Sequence, residues 1–215
     1  MSRLILYDLD GTVIDSSPGV TRCVAYAIEK MGFPAQPESV LRSFIGPPLN
    51  AQFMDVCGMT AEQAAEAVIR YREIYSGPGK FECTVYPGIP EAMRTLRDAG
   101  HEQMLASAKP ELFSRQIIEH FSLDRYLSFL ACATMDETRT DKAEIIAHAV
   151  RNSREKRSPG DVWMIGDRKY DMEGARANGV HAVGSGYGFG SREELEAAGA
   201  EVIVGSAAEL AALLA

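Results

Sequence analysis

Asp8-Leu9-Asp10-Gly11-Thr12 sets two carboxylates on either side of a leucine, directly after the apolar run Leu4-Ile5-Leu6-Tyr7. Four apolar residues in a row near the N-terminus read as a strand buried on both faces. The acids therefore stand where that strand leaves its sheet, and Gly11 permits a turn that a residue with a Cβ would resist. Carboxylates beside a core strand are costly unless something neutralises them. A hard divalent cation would do so, because Mg²⁺ prefers carboxylate and carbonyl oxygens. The other reading is an Asp-x-Asp turn that stays hydrated. This segment by itself leaves both open.

Three further stretches carry groups that could work with these acids. Ser107-Ala108-Lys109-Pro110 offers a hydroxyl and exposed amides ahead of a helix N-terminus, a setting that suits an anion. Lys142 opens a helix just after Thr140 and Asp141. Gly166-Asp167-Arg168-Lys169-Tyr170-Asp171 holds a second pair of acids. Each stretch follows an apolar strand pattern: Gln103 to Ala106, Phe129 to Ala133, and Val162 to Ile165. In an open parallel sheet, ligands bind outside the carboxyl ends of the strands. An acid pair, a hydroxyl, a lysine and a second acid pair would then share one edge.

That edge needs a sheet to make it, and from Tyr86 onward strand and helix alternate. Glu91 to Ala99, Pro110 to Phe121, Lys142 to Arg151, Met172 to Asn178 and Arg192 to Ala198 read as helices. Val180 to Val183 and Val202 to Val204 are strands, and Ala207 to Ala215 is a closing helix. The alternation specifies a Rossmann-like α/β core with a mainly parallel sheet and helices on both faces. Between Thr12 and this region only helical patterning occurs: Ser17 to Met31 with Pro18 in its first turn, Pro37 to Phe44, Leu49 to Cys57, and a helix capped by Thr60 that runs to Tyr75. Ser76-Gly77-Pro78-Gly79 breaks the pattern. The expected organisation is a core of residues 1–15 and 80–215 with an inserted all-helical cap of residues 16–79. A cap there would sit as a lid over the acids; a plain structural extension is the other reading.

Composition narrows the function classes. At 215 residues, 46% apolar and 24% charged, the chain can bury one full core and a smaller insert. A net charge of −8 argues against a nucleic-acid partner. No apolar run is long enough to span a bilayer. The N-terminus enters the first core strand with no room for a signal sequence, so a cytoplasmic location is expected. Cys23, Cys57, Cys83 and Cys132 contain no Cys-x-x-Cys pair, and His101, His120, His148 and His181 lack metal-ligand spacing. The cysteines read as buried free thiols and the histidines as surface or core residues.

In these motifs and their order, the chain resembles the haloacid dehalogenase-like (HAD) hydrolase superfamily, in its phosphatase branch. Asp8 to Thr12 matches the first motif, Ser107 the second, Lys142 the third, and Gly166-Asp167 through Asp171 the fourth. The helical insert and Gly184-Ser185-Gly186-Tyr187-Gly188 are similar to the phosphoglycolate phosphatase-like subgroup. The resemblance implies a HAD-like fold and a Mg²⁺-dependent phosphatase. Asp8 would attack phosphorus, and Asp10 would protonate the leaving oxygen and later activate water. Asp8, Asp167 and the Asp10 carbonyl would contact Mg²⁺, supported by Asp171 directly or at one remove. Ser107, Ala108 and Lys109 would meet the substrate, and Lys142 would offset charge on Asp8 and the transferring group. Two positions depart from the pattern. Ala108 stands where relatives often carry Asn or Ser, so it can serve only through its N–H. Thr138-Arg139-Thr140-Asp141 replaces a frequent Lys-Pro ahead of Lys142.

Rival readings differ in what they need. A dehalogenase has no use for an acid at Asp10, because halide departs unprotonated. A phosphomutase of the β-phosphoglucomutase type would share the four motifs and the cap, although Thr12 fits the phosphatases better. A non-enzymatic binding protein would be expected to lack Asp8, Asp10 or Asp167, and all are present. The expected substrate is a small phosphorylated metabolite: phosphoglycolate or a similar phosphomonoester first, a nucleoside monophosphate (a 5'-nucleotidase activity) second, with pyrophosphate also open. The loop Phe44-Ile45-Gly46-Pro47-Pro48-Leu49 is where the leaving group would be read. Arg42, Tyr71, Arg72, Tyr75 and Lys109 are candidates for a second anionic group, with packing or a solvated helix face the alternative for the four in the cap. A monomer or homodimer is the expected assembly.

Overall fold

The computed structural model describes residues 2–136 and 138–215. In chain order, β1 (Leu4–Tyr7) and the short β2 (Ile14–Asp15) lead into α1 (Ser17–Lys30), α2 (Glu38–Arg42), α3 (Leu49–Cys57) and α4 (Ala61–Tyr75). After β3 (Thr84–Val85) come α5 (Ile89–Asp98), β4 (Glu102–Pro110), α6 (Glu111–His120) and β5 (Phe129–Ala133). Then follow α7 (Lys142–Arg151), β6 (Val162–Gly166), α8 (Lys169–Ala177), β7 (His181–Ser185), α9 (Arg192–Ala198), β8 (Val202–Val204) and α10 (Ala207–Leu214). The chain forms two compact units, Met1–Asp15 with Val85–Ala215, and Ser16–Thr84.

The first unit is built on a parallel sheet in the order β5-β4-β1-β6-β7-β8. All of β1 is buried, which is why its sequence is continuously apolar rather than alternating. Leu4 and Leu6 point into a cluster with Met104, Ile145, Met164 and Leu195. Chain order reverses at β1, with β4 on one side and β6 on the other, so the crevice of this α/β sheet opens at the carboxyl end of β1. The Asp8 N–H donates to the Ile165 carbonyl at 2.9 Å, carrying the ladder one residue past β1 and setting Asp8 beside β6.

The second unit is helical. Thr60 and Gln63 form a reciprocal capping box at the start of α4, and Tyr71 and Tyr75 stack at 4.8 Å along it. Phe44 and Phe53 pack with ring centroids 5.1 Å apart. This unit extends past the expected boundary at residue 79 to Thr84. Gly79–Phe81 forms a 3₁₀ turn against α1, where any side chain at Gly79 would strike Cys23 Sγ.

Several local expectations need correction. The strand expected to end at Ala106 does not stop there: β4 runs on to Pro110, with a register slip against β5 between Ser107 and Pro110, and Ser107 is buried. The following helix starts only at Glu111. α8 begins at Lys169 rather than Met172, because the Asp171 carboxylate accepts the Arg168 N–H at 3.1 Å and caps the helix one turn earlier. The Pro37 to Phe44 helix shortens to Glu38–Arg42. Among the described residues no helix is long and apolar enough to cross a membrane.

Candidate active site

A tight loop follows β1. The Leu9 carbonyl accepts N–H groups from Val13 and Ile14 at 2.9 and 3.0 Å, and the Gly11 N–H donates to the Ile14 carbonyl at 2.8 Å. Gly11 sits at φ +78°, where a Cβ is disfavoured. Leu9 and Thr12 are buried while Asp8 and Asp10 keep partial access, so the loop turns both acids out at the edge of the sheet.

Asp8, Asp167 and Asp171 offer carboxylate oxygens that all lie within 4.8 Å of one another. Ion pairs aside, Oδ1 of each lacks a partner. Two of these face Lys142, whose Nζ stands 3.0 Å from Asp8 Oδ1 and 2.7 Å from Asp171 Oδ1. Asp167 Oδ1 has no partner, although Asp167 is fully buried. A buried, unpaired carboxylate oxygen is expensive. Burial pushes the Asp167 carboxyl well above the usual carboxylate range, and Asp171 and Asp8 push it further. Burial also raises Asp171, against the pull of Lys142. Three acids this close, with one cation among them, are short of positive charge. An all-oxygen donor set of this kind could bind a hard divalent metal ion.

Lys142 is set against local electrostatics. It occupies the first turn of α7, the positive end of the helix dipole, where cations are disfavoured. Burial presses its ammonium toward neutrality, yet Asp171 and Asp8 outweigh that and hold its pKa above that of free lysine. The Ala106 carbonyl takes a further bond from Nζ at 3.1 Å. Its stem lies against Gly174, where a Cβ would crowd Lys142 Cγ. Asp141 explains the departure ahead of this lysine: its side chain accepts the Glu144 N–H at 3.0 Å and fixes where α7 begins.

Glycines also shape the Asp167 position. A side chain at Gly11, Gly188 or Gly190 would collide with Asp167 atoms, and the Phe189 N–H donates to Asp167 Oδ2 at 2.8 Å. The signal was the alternation Gly186-Tyr187-Gly188-Phe189-Gly190, which lets backbone approach closely. Lys109 meets Asp10 rather than empty space, donating to both carboxylate oxygens at 3.0 and 2.9 Å. Ser107 Oγ accepts the Lys109 N–H at 3.3 Å, and Ala108 is half-buried beside it.

In the helical unit, Tyr71 and Tyr75 are buried, as are Phe44 and Ile45. Arg42 pairs with Glu38 at 3.2 Å on an exposed helix face, and Arg72 is half-buried.

Residues 5–185 match the family model described as haloacid dehalogenase-like hydrolase. The chain is 42% identical over 193 residues to a 5'-nucleotidase of Pseudomonas aeruginosa, covering 90% of this chain and 86% of that protein. It is 26% identical over 216 residues to a phosphoglycolate phosphatase of Vibrio parahaemolyticus, covering 97% and 94%. Among solved structures, a predicted phosphatase from Clostridium acetobutylicum superposes with a TM-score of 0.93 at 38% identity, covering 100% of this chain and 98% of that one.

Proposed function

Since the chain belongs to the haloacid dehalogenase-like hydrolases, in the phosphoglycolate phosphatase-like subgroup, and is a phosphatase, we propose that it is Mg²⁺-dependent and hydrolyses a small phosphomonoester through an aspartyl-phosphate on Asp8. The observation that carries this reading is the convergence of Asp8, Asp167 and Asp171 within 4.8 Å around an unpartnered buried oxygen. Asp8, Asp167 and Asp171 would hold the ion. When bound, it supplies the positive charge that lets an ionised carboxylate approach a phosphate dianion.

The chain's own residues carry the steps. An Asp8 oxygen forms a bond to phosphorus as the bond to the leaving oxygen breaks, and Asp10 passes its proton to that oxygen. Water then attacks phosphorus, its proton goes to Asp10, and the Asp8–phosphate bond breaks to release phosphate. Lys142 balances charge on Asp8 throughout, and Ser107 binds a phosphoryl oxygen.

Phosphoglycolate-like monoesters are the preferred substrates. Nucleoside 5'-monophosphates are the second reading, favoured by the 5'-nucleotidase likeness of the P. aeruginosa relative. A screen across phosphoglycolate, sugar phosphates, nucleotides and pyrophosphate separates them. Equal, poor rates on all would sink the phosphoglycolate preference, and a nucleotide as clear best would install the second reading.

Metal removal gives two further expectations. EDTA should silence phosphate release and Mg²⁺ should restore it. Mg²⁺ at a hundredfold excess over its dissociation constant should stabilise the fold by about 2.7 kcal/mol, read as a rise in Tm. The rise should be larger at pH 7.5 than at pH 5. Burial raises the Asp167 carboxyl, so at low pH a proton occupies the group that must be ionised to hold metal. Gly188→Ala should abolish the rise at either pH, since its Cβ would displace Asp167. A rise of unchanged size in that variant would show that Asp167 holds no metal.

A further inference from the structure

Lys109 holds Asp10 in a closed ion pair. Both Asp10 oxygens accept from one ammonium, and the two side chains are only 8% and 16% exposed. Backbone on each side builds the contact. The pairing of β4 with β5 slips register between Ser107 and Pro110, the stretch that carries Lys109, and the Lys109 N–H rests on Ser107 Oγ. Opposite, Asp10 is fixed by the turn that Gly11 closes on Ile14. The lysine stem is flexible, so its ammonium can move while the backbone stays.

Exposed ion pairs are worth little, whereas an enclosed one resists separation unless each charge finds a new partner. In the reaction proposed above, an Asp10 oxygen must face the leaving-group oxygen, yet here both are engaged by Lys109. A substrate with a neutral leaving group has nothing to offer that ammonium. A substrate with a second anion near the bridging oxygen replaces Asp10 as its partner, charge for charge. The two lysines also divide the site. Lys142 stands with Asp8, where phosphorus would be attacked, and Lys109 stands with Asp10, on the leaving-group side.

We propose that Lys109 receives a second anionic group, a carboxylate or a second phosphate, on the substrate's leaving group, and that its transfer from Asp10 to that group frees Asp10 for the leaving oxygen. The substrate class is then phosphomonoesters with a second anion a few bonds from the ester oxygen. This rests on the phosphatase reading and adds selection by charge to it.

The test compares phosphoglycolate, ethane-1,2-diol bisphosphate and 2-hydroxyethyl phosphate, which differ in having a carboxylate, a phosphate or a neutral hydroxyl at the far end. With Mg²⁺-loaded wild type, kcat/KM for one or both anionic substrates should exceed the neutral one by about 10–100-fold, the worth of a charge-assisted hydrogen bond. Which anionic substrate leads identifies the anion. In Lys109→Met the ratio should fall toward one through loss on the anionic substrates, and Lys109→Arg should recover part of it. Should Lys109→Met not fold, Lys109→Gln keeps a donor to Asp10 without the charge and should show the same collapse. A ratio unchanged in these variants, or equal losses on all three substrates, overturns the proposal. Wild type that hydrolyses all three equally overturns this proposal alone. Wild type that hydrolyses neither these nor p-nitrophenyl phosphate overturns the phosphatase reading with it.

Discussion

Asp8→Asn will lower kcat for p-nitrophenyl phosphate by about four orders of magnitude or more, the scale on which enzymes lose turnover without their nucleophile. Its Tm with Mg²⁺ absent should stay within a few degrees of wild type. The two expectations belong together. An amide cannot form the bond to phosphorus, so chemistry stops. Removing one negative charge from a crowded set of three acids leaves Lys142 still paired with Asp171 at 2.7 Å, so the fold loses little. p-Nitrophenol leaves readily without a proton, so this substrate isolates the nucleophile from Asp10. Retained turnover would move the nucleophile away from Asp8.

Lys142→Met has the second-largest expected effect, and it acts on activity and stability alike. Removing a positioned cation from a developing charge costs about 10²–10³-fold in kcat. It also leaves Asp8 and Asp171 without their shared partner, and breaking a buried pair from one side costs about 3–5 kcal/mol. In a chain of this length that lowers Tm by roughly 6–20 °C. The pH dependence follows from Asp171. Burial already raises its carboxyl above the ordinary range, and loss of the cation raises it further. A raised carboxyl costs stability above its folded-state pKa, and that cost disappears as pH falls to the ordinary carboxylate range near 4. The Tm deficit of metal-free Lys142→Met should therefore be large at pH 8 and small at pH 5. A deficit independent of pH would mean lost packing against Gly174 is the cause rather than lost charge.

Much of the core was legible because its signals are local. Phe129 to Ala133 and Lys142 to Arg151 are an apolar run and an amphipathic helix with clear ends, and the structure has β5 and α7 over those residues. β1 was legible for a related reason, since a short apolar run that ends at Asp8 and a glycine turn is the pattern of a strand covered on both faces. What escaped depends on residues distant in the chain. The extension of β4 beyond Ala106 is settled by its pairing with β5, including the register slip at Ser107. Sequence patterns put Asp8, Asp10, Ser107, Lys142, Asp167 and Asp171 at one sheet edge, but a strand pattern holds no distances. That Lys142 reaches two acids, and that Lys109 turns onto Asp10, are facts of backbone geometry. Gly188 and Gly190 were visible as glycines, yet their closeness to Asp167 required β6 and β7 to be placed side by side.

In the proposed enzyme, acids from the ends of β1 and β6 hold one cation beside the phosphoryl group that Asp8 receives. A crystal structure grown with Mg²⁺ and beryllium fluoride, which mimics a phosphorylated aspartate, tests it in one measurement. Beryllium should be bonded to Asp8, with one Mg²⁺ touching both Asp8 and Asp167 and with Ser107 and Lys142 on the fluorides. Beryllium on any other residue, or Mg²⁺ bound away from Asp167, would contradict it.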